Sequence, residues 1–301
     1  MTSSWIGSLR SVAFNVPDLA RAEVFYTRIW HLDVVARQDD ALYLRGTGPD
    51  HHVLALHRGG PAIEIRHVTL RARSEEALAA VARASVAAGG RIEVPLGPIA
   101  ELGGGVGLTV RDPDGRLIQV VHGDQRHADA REAKDRPMRL AHAVLNSHDV
   151  EATQHFFEAA FGFTLADRTR IMAFLNCASD HHSIALGNAD NDALNHIAFV
   201  MPDLESVMRG GGRMRDAGHQ IEWGPGRHGP GDNAFNYFIG PFGEVIEYTA
   251  EVEQIDDSYR SGGPEDWTWP EGRLDQWGIS QPPSARLKAA QKQVFFAKTP
   301  T

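Results

Sequence analysis

Apolar and polar positions along this chain fall into two matching series. LRSVAFNVPDLARAEVFY, from Leu9, and LAHAVLNSHDVEATQHFF, from Leu140, each lead a short apolar run through an Asn and an Asp into a segment with paired aromatics, Phe25–Tyr26 and Phe156–Phe157. The match continues downstream. DHHVLAL at 50–56 pairs with DHHSIAL at 180–186, IRHVTL at 65–70 with LNHIAF at 194–199, and AGGRIEV at 88–94 with AGHQIEW at 217–223. DPDGRLIQV at 112–120 pairs with GPFGEVIEY at 240–248. Repetition in one order, with little drift in spacing, marks a duplicated structural unit.

Within each half the pattern reads twice as a strand, a helix and then short strands, an α+β organisation. Pro17-Asp18 and His148-Asp149 stand where a helix N-cap belongs, because a short carboxylate can accept from the free N–H groups of the first turn. The second helix of each half, over 74–88 and 204–217, is followed by Gly89 or Gly218, which suit the left-handed residue that closes a helix. DPDG at 112–115 and GPFG at 240–243 supply turn chemistry between strands. The expected organisation is one domain at 5–123, a polar linker at 124–138, a second domain at 139–252 and a tail at 253–301. The tail carries Trp267, Trp269 and Trp277. It is expected to pack on the second domain or on a neighbouring subunit, with a lid over a cavity as the alternative.

Composition narrows the class. The 301 residues are 42% hydrophobic and 23% charged, enough for a sizeable core. No apolar run is long enough for a membrane span, and MTSSWIGSLRSVAF lacks the basic-then-apolar pattern of an export signal. A formal charge of −9 leaves no basic footprint for nucleic acid. The single cysteine, Cys177, leaves no disulfide framework, fits a cytoplasmic setting and reads as a small buried apolar residue. The 15 histidines are more than such a chain ordinarily carries, and they point to chemistry.

Duplication permits a subtraction. His142 stands for Ser11, Glu247 for Gln119 and Tyr237 for Thr109, while His196 matches His67 and His182 matches His52. His228 falls where the first half has an unrelated stretch around Ala100. The second half therefore places His142, His196 and Glu247 on three strands, whereas the first half keeps one His and lacks the carboxylate. Two imidazoles and one carboxylate form the facial set that holds non-haem Fe(II) with coordination positions left open. Any one of these histidines alone reads more simply as a hydrogen-bonded core residue. Their joint appearance at equivalent positions, in one half only, favours ligation. Strand alternation places Val144 on the face of His142. It also directs His181 and His182 to opposite faces, with His181 outward and solvated.

With those residues in view, the second half resembles the type I extradiol ring-cleavage dioxygenases of the vicinal oxygen chelate superfamily. GPGRHGPGDNAFNYFIGPFGEVIEYTA, at 224–250, is similar to the stretch of catechol 2,3-dioxygenases, and especially homoprotocatechuate 2,3-dioxygenases, that ends in a metal-binding Glu. The resemblance covers 5–252 and is architectural only in the first half. It implies tandem domains of paired βαβββ modules, each a curled mixed sheet around a cavity, with a metal-free N-terminal domain and a catalytic C-terminal one. It implies Fe(II), or Mn(II) on the same ligands, held by His142, His196 and Glu247. His182 is then the acid/base, His228 and Tyr237 contact a substrate oxygen, and Val144 and Phe174 line the substrate pocket. The implied reaction opens a catechol-type diol with both atoms of O2, giving a hydroxymuconic semialdehyde-type product in aromatic catabolism, within a homo-oligomer (dimer or tetramer). Arg170 and Arg227 are candidate partners for a substrate acid group. Two rival readings stand beside this one: a glyoxalase-like isomerase or glutathione transferase of the same superfamily, and a metal-free protein that sequesters an aromatic or a drug.

Overall fold

The computed structural model describes residues 4–298. The first half contains β1 (Ile6–Val16), α1 (Leu19–Val24), β2 (Asp33–Gln38), β3 (Ala41–Arg45), β4 (Leu54–Arg58), β5 (Glu64–Ala72), α2 (Glu75–Ala87), β6 (Arg91–Pro98), β7 (Val106–Arg111) and β8 (Leu117–His122). The second repeats the series as β9 (Arg139–Ser147), α3 (Val150–Phe161), β10 (Thr164–Arg168), β11 (Met172–Asn176), β12 (Ile184–Asn188), β13 (Leu194–Val200), α4 (Leu204–Asp216), β14 (Trp223–Arg227), β15 (Ala234–Ile239) and β16 (Val245–Ala250). The α+β, tandem βαβββ architecture expected from the repeat is the one observed.

Each half forms one eight-stranded mixed sheet, ordered β2-β3-β4-β1-β5-β8-β7-β6 and β10-β11-β12-β9-β13-β16-β15-β14. In every βαβββ unit the last strand returns parallel to the first, as β4 does to β1 and β16 to β13. The two units of a sheet meet at an antiparallel central pair, β1 with β5 and β9 with β13. Strands that carry ligand-type side chains are therefore neighbours at the middle of the second sheet.

Local signals explain the helix limits. Asp18, Ser74, Asp149 and Asp203 each accept from a first-turn N–H as N-caps, satisfying a donor that the helix itself leaves free. Gly89 and Gly218 take positive φ values after α2 and α4, the conformation a residue without Cβ adopts at least cost. After α1 the backbone widens into a π-helical turn over Phe25–Ile29, which turns Tyr26 and Trp30 into the boundary between the halves.

One apolar core runs through both halves. Trp30 stacks on Tyr248 with ring centres 3.6 Å apart, and the Tyr248 hydroxyl donates to the Trp30 carbonyl at 2.9 Å. The segment between the sheets is anchored at its start, where buried Asp124 pairs with Arg10 and Arg71. Arg116, completely buried, donates to Asp112, Asp114 and Asp192 and so joins a first-half turn to a second-half loop. The tail forms α5 (Ala285–Ala290) and then returns to the first half, where Phe296 bridges to Ile65. No helix among the described residues is long and apolar enough to cross a membrane.

Candidate active site

The face of the second sheet that bears Glu247 and Tyr237 carries two apolar patches, one of them completed by α5, with a polar centre between them. Val144, Phe174 and Ala185 form one patch, and Phe235, Tyr237, Val245, Leu287 and Ala290 form the other. The register of β9, β13 and β16 brings His142, His196 and Glu247 together between these patches, all three buried. His142 Nε2 and His196 Nε2 each lie 3.2 Å from Glu247 Oε2 and 3.4 Å from one another.

Three donor atoms on one side of a cation, each about 2.1 Å from it, stand about 3 Å apart, so this triangle has the right size to hold a metal. Two further features fit that role. Glu247 Oε1 is buried without a hydrogen-bond partner among the described residues. His196 Nδ1 is 2.8 Å from Asn195 Oδ1, which fixes the ring with Nε2 facing the centre and supports a ligand from behind. Burial disfavours the Glu247 carboxylate, but the bonds to His142 and His196 outweigh it and hold the group well below the usual carboxylate range.

Around this triangle stand the other expected residues. The His182 ring stacks on His142, with centres 4.5 Å apart, and meets the edge of Phe174. Burial pushes His182 well below its ordinary value, and the neighbouring imidazoles add to the effect, so the ring is neutral near pH 7. His228 Nε2 is 3.0 Å from the Tyr237 hydroxyl, which in turn lies 3.4 Å from His196 Nε2. Burial drives His228 down to about 4 and pushes the Tyr237 phenol well above 10. Val144 and Phe174 lie in one apolar patch.

The tail packs against the end of β14 and the loop that follows it. Gln276 donates to the His228 carbonyl at 2.6 Å, and Arg227 lies under the Trp277 ring. Trp267 and Trp269 pack so closely on Gly229 that a Cβ there would stand 2.7 Å from the Trp269 ring. The tail thus packs on the second half beside the His228–Tyr237 pair, as the first of the two expectations had it. Arg227 is engaged by Glu251, and Arg170 pairs with Glu265 at the surface.

Two expectations need correction. His181 is not solvated: it is completely buried, with Nε2 2.8 Å from Asp167 Oδ2. Burying an imidazole requires hydrogen-bond partners, and β10 supplies one. The first half also does not lack a carboxylate. Glu101, from the β6–β7 connection, reaches His57 at 3.4 Å, His67 at 3.9 Å and His52 at 4.0 Å. Because a loop delivers it, comparison of strands alone missed it. The Arg10 guanidinium stands 2.6 Å from His52 Nε2 and puts a positive charge where a cation would otherwise sit. Among the described residues, no cluster around Glu101 has metal-holding spacing. The groups that do are His142–His196–Glu247 and the partly exposed Asp114–His148–Asp192, whose carboxylates already hold Arg116.

The Glyoxalase/Bleomycin resistance protein/Dioxygenase superfamily pattern matches residues 8–120 and 139–248, one match per sheet. The chain belongs to that superfamily. It is similar to metapyrocatechase 2 of Cupriavidus necator, 32% identical over 58% of this chain and 62% of that one. It is also similar to a Mn(II)-bound glyoxalase from Novosphingobium aromaticivorans, at 31% identity, a TM-score of 0.87 and 94% coverage of both chains. A homoprotocatechuate 2,3-dioxygenase variant from B. fuscum shares the fold at a TM-score of 0.81 and 22% identity, over 92% of this chain and 80% of that one. Within the superfamily architecture, the subtraction between halves acquires a structural meaning: among the described residues, only the second sheet presents a compact donor triangle.

Proposed function

We propose that this chain is an extradiol-type dioxygenase in which His142, His196 and Glu247 hold Fe(II) or Mn(II) and a catechol-type diol is opened with both atoms of O2 incorporated. The observation that carries the reading is the donor triangle, set against neutral His182 and a buried His228–Tyr237 pair. When bound, the metal supplies open positions for the diol and O2 and makes the diol hydroxyls more acidic. His182, stacked beside His142, accepts a proton from the bound diol and returns one to an oxygen as the ring opens, which a neutral imidazole does readily. Tyr237, held in its phenol form, donates a hydrogen bond to developing negative charge on oxygen, and His228 orients that hydroxyl. Val144, Phe174 and Phe235 exclude water and receive the apolar edge of the ring. The likeness to metapyrocatechase 2 supports the reaction class, and the Mn(II) of the solved relative supports either metal.

The test is anaerobic reconstitution with Fe(II), or separately Mn(II), followed by air and a panel of catechols. One O2 consumed per coloured ring-fission product, lost in Glu247→Ala, is the expected result. A second reading, a glyoxalase-type isomerase, is favoured by the likeness to the Mn(II)-bound glyoxalase. Metal binding with no O2 uptake on any diol would select it.

A further inference from the structure

A chain of buried hydrogen bonds runs away from His182 into the sheet. His182 Nδ1 lies 3.0 Å from His181 Nδ1, and His181 Nε2 lies 2.8 Å from Asp167 Oδ2. The same Oδ2 accepts from the Tyr259 hydroxyl at 3.0 Å, and Oδ1 accepts from the Gly262 N–H at 2.6 Å. Asp167 and His181 are completely buried.

The donor and acceptor inventory fixes the direction of this chain. A carboxylate only accepts, so His181 carries its proton on Nε2 and donates it to Asp167. In the neutral His181 ring Nδ1 is then an acceptor, and His182 places its own proton on Nδ1 to meet it. The His182 Nε2 lone pair is left free. None of the described side chains hydrogen-bonds to that nitrogen, in contrast to His52 in the first half, whose Nε2 faces the Arg10 guanidinium. The position equivalent to Arg10 is Ala141.

The first half provides an internal control. His51 and His52 face one another through Nδ1 atoms 2.9 Å apart, the same pair in the same geometry. The equivalent of Asp167, matched through the bulge that each strand carries, is Ala36. The His pair belongs to the duplicated scaffold, whereas the carboxylate occurs only beside the donor triangle.

We propose that Asp167 is a positioning residue that, through His181, holds His182 in the Nδ1–H tautomer and so keeps Nε2 available as the base. This rests on the dioxygenase reading for what the base does, but the tautomer itself does not depend on turnover. Asp167→Asn is nearly isosteric and should reverse the chain. Gly262 N–H demands the amide oxygen at the Oδ1 position, which turns the NH2 group toward His181. His181 then accepts at Nε2, carries its proton on Nδ1 and donates to His182, whose proton moves to Nε2.

The experiment uses full-length protein with 15N-labelled histidine, loaded with diamagnetic Zn(II), to read the His182 tautomer, together with steady-state kinetics of the Fe(II)-loaded enzyme. Expected are an Nδ1–H signal for His182 in the parent, an Nε2–H signal in Asp167→Asn, and a fall in kcat of about a hundredfold with little change in KM. If Asp167→Asn fails to fold, His181 decides the matter. His181→Asn sets an amide oxygen near the old Nδ1 position and should retain kcat, while His181→Leu should lose it. An unchanged His182 tautomer and kcat in Asp167→Asn, or equal kcat in the two His181 variants, overturns the proposal. An enzyme inactive on every diol would sink the dioxygenase reading while leaving the tautomer measurement decisive.

Discussion

The Tyr26 hydroxyl donates a 2.6 Å hydrogen bond to Glu244 Oε1 across the boundary between the two halves, with the Phe242 N–H on the other carboxylate oxygen. Glu244 is completely buried, and that burial pushes it up to about 7, against the opposing effect of the Tyr26 bond. The native state therefore holds this proton more tightly than the unfolded chain does. The stabilisation is fully present below the ordinary value of 4.5 and is lost as pH rises toward about 7. The expected loss is at most about 3 kcal/mol. Urea unfolding followed between those pH values should show the decline, and Glu244→Gln, which cannot ionise, should flatten it. An equal slope in the variant would assign the pH dependence to other groups.

Two glycines of α4 should respond oppositely to the same substitution. A Cβ at Gly210 would stand 2.7 Å from the Tyr248 ring, which cannot retreat because Trp30 stacks on its plane. At Gly212, two residues further on and exposed, nothing lies within 4 Å. Alanine is the better helix former by about 1 kcal/mol. Gly212→Ala should therefore raise the thermal midpoint, while Gly210→Ala should lower it despite the same propensity gain. Two increases would show that the boundary between the halves yields more easily than its stacked rings suggest.

What the sequence disclosed depended on how each residue reaches its place. The strand-borne residues His142, His196, Glu247 and Tyr237 stand at repeat-equivalent positions, so comparing the halves isolates them and the sheet register brings them together, while His182 precedes β12 at the position that matches His52. Glu101 arrives from a loop with no repeat partner, and no alternation rule places a loop residue. His181 was expected outward by strand alternation, but it and His182 precede β12 rather than lie on it, so the alternation rule does not govern them. The partner, Asp167, was readable by the same subtraction, as Asp against Ala36, had the comparison been extended to β10. Asn195 beside His196 and the tail's contact with His228 leave no signal in either half alone, because both depend on tertiary packing.

Asn195 should matter for metal affinity without touching the metal. Its Oδ1 accepts from His196 Nδ1 and from Gln291 Nε2, each at 2.8 Å, and its Nδ2 donates to Asn146 Oδ1 at 2.8 Å. Removing such a support typically weakens binding by about 10- to 100-fold, because the ligand ring loses its fixed tautomer and orientation. Asn195→Ala should show that loss in chelator competition with Fe(II) or Mn(II). Since a metal that binds only the native state raises stability by mass action, the metal-induced rise in thermal midpoint should shrink in parallel. Unaltered affinity would mean that the β13 backbone alone orients His196.

Leu287 tests whether the tail is a cover or part of the cooperative core. α5 has only six residues and is too short to persist without packing. Leu287 is completely buried against the patch that contains Phe235, Tyr237 and Val245, so it joins the tail to the face that bears the site. Truncating a buried leucine to alanine costs about 2–5 kcal/mol where the surroundings cannot collapse. The segment before α5 lacks regular strands or helices and is largely exposed, which lets the tail open while the sheets remain folded. Leu287→Ala should therefore leave the main unfolding transition nearly in place, speed hydrogen exchange at the α5 amides, and raise KM more than it lowers kcat, because water reaches the Tyr237 side of the pocket. A large drop in the main transition with KM unchanged would make the tail an integral part of the core. Restored KM in Leu287→Met, which refills most of the lost volume, would tie the effect to packing over the site.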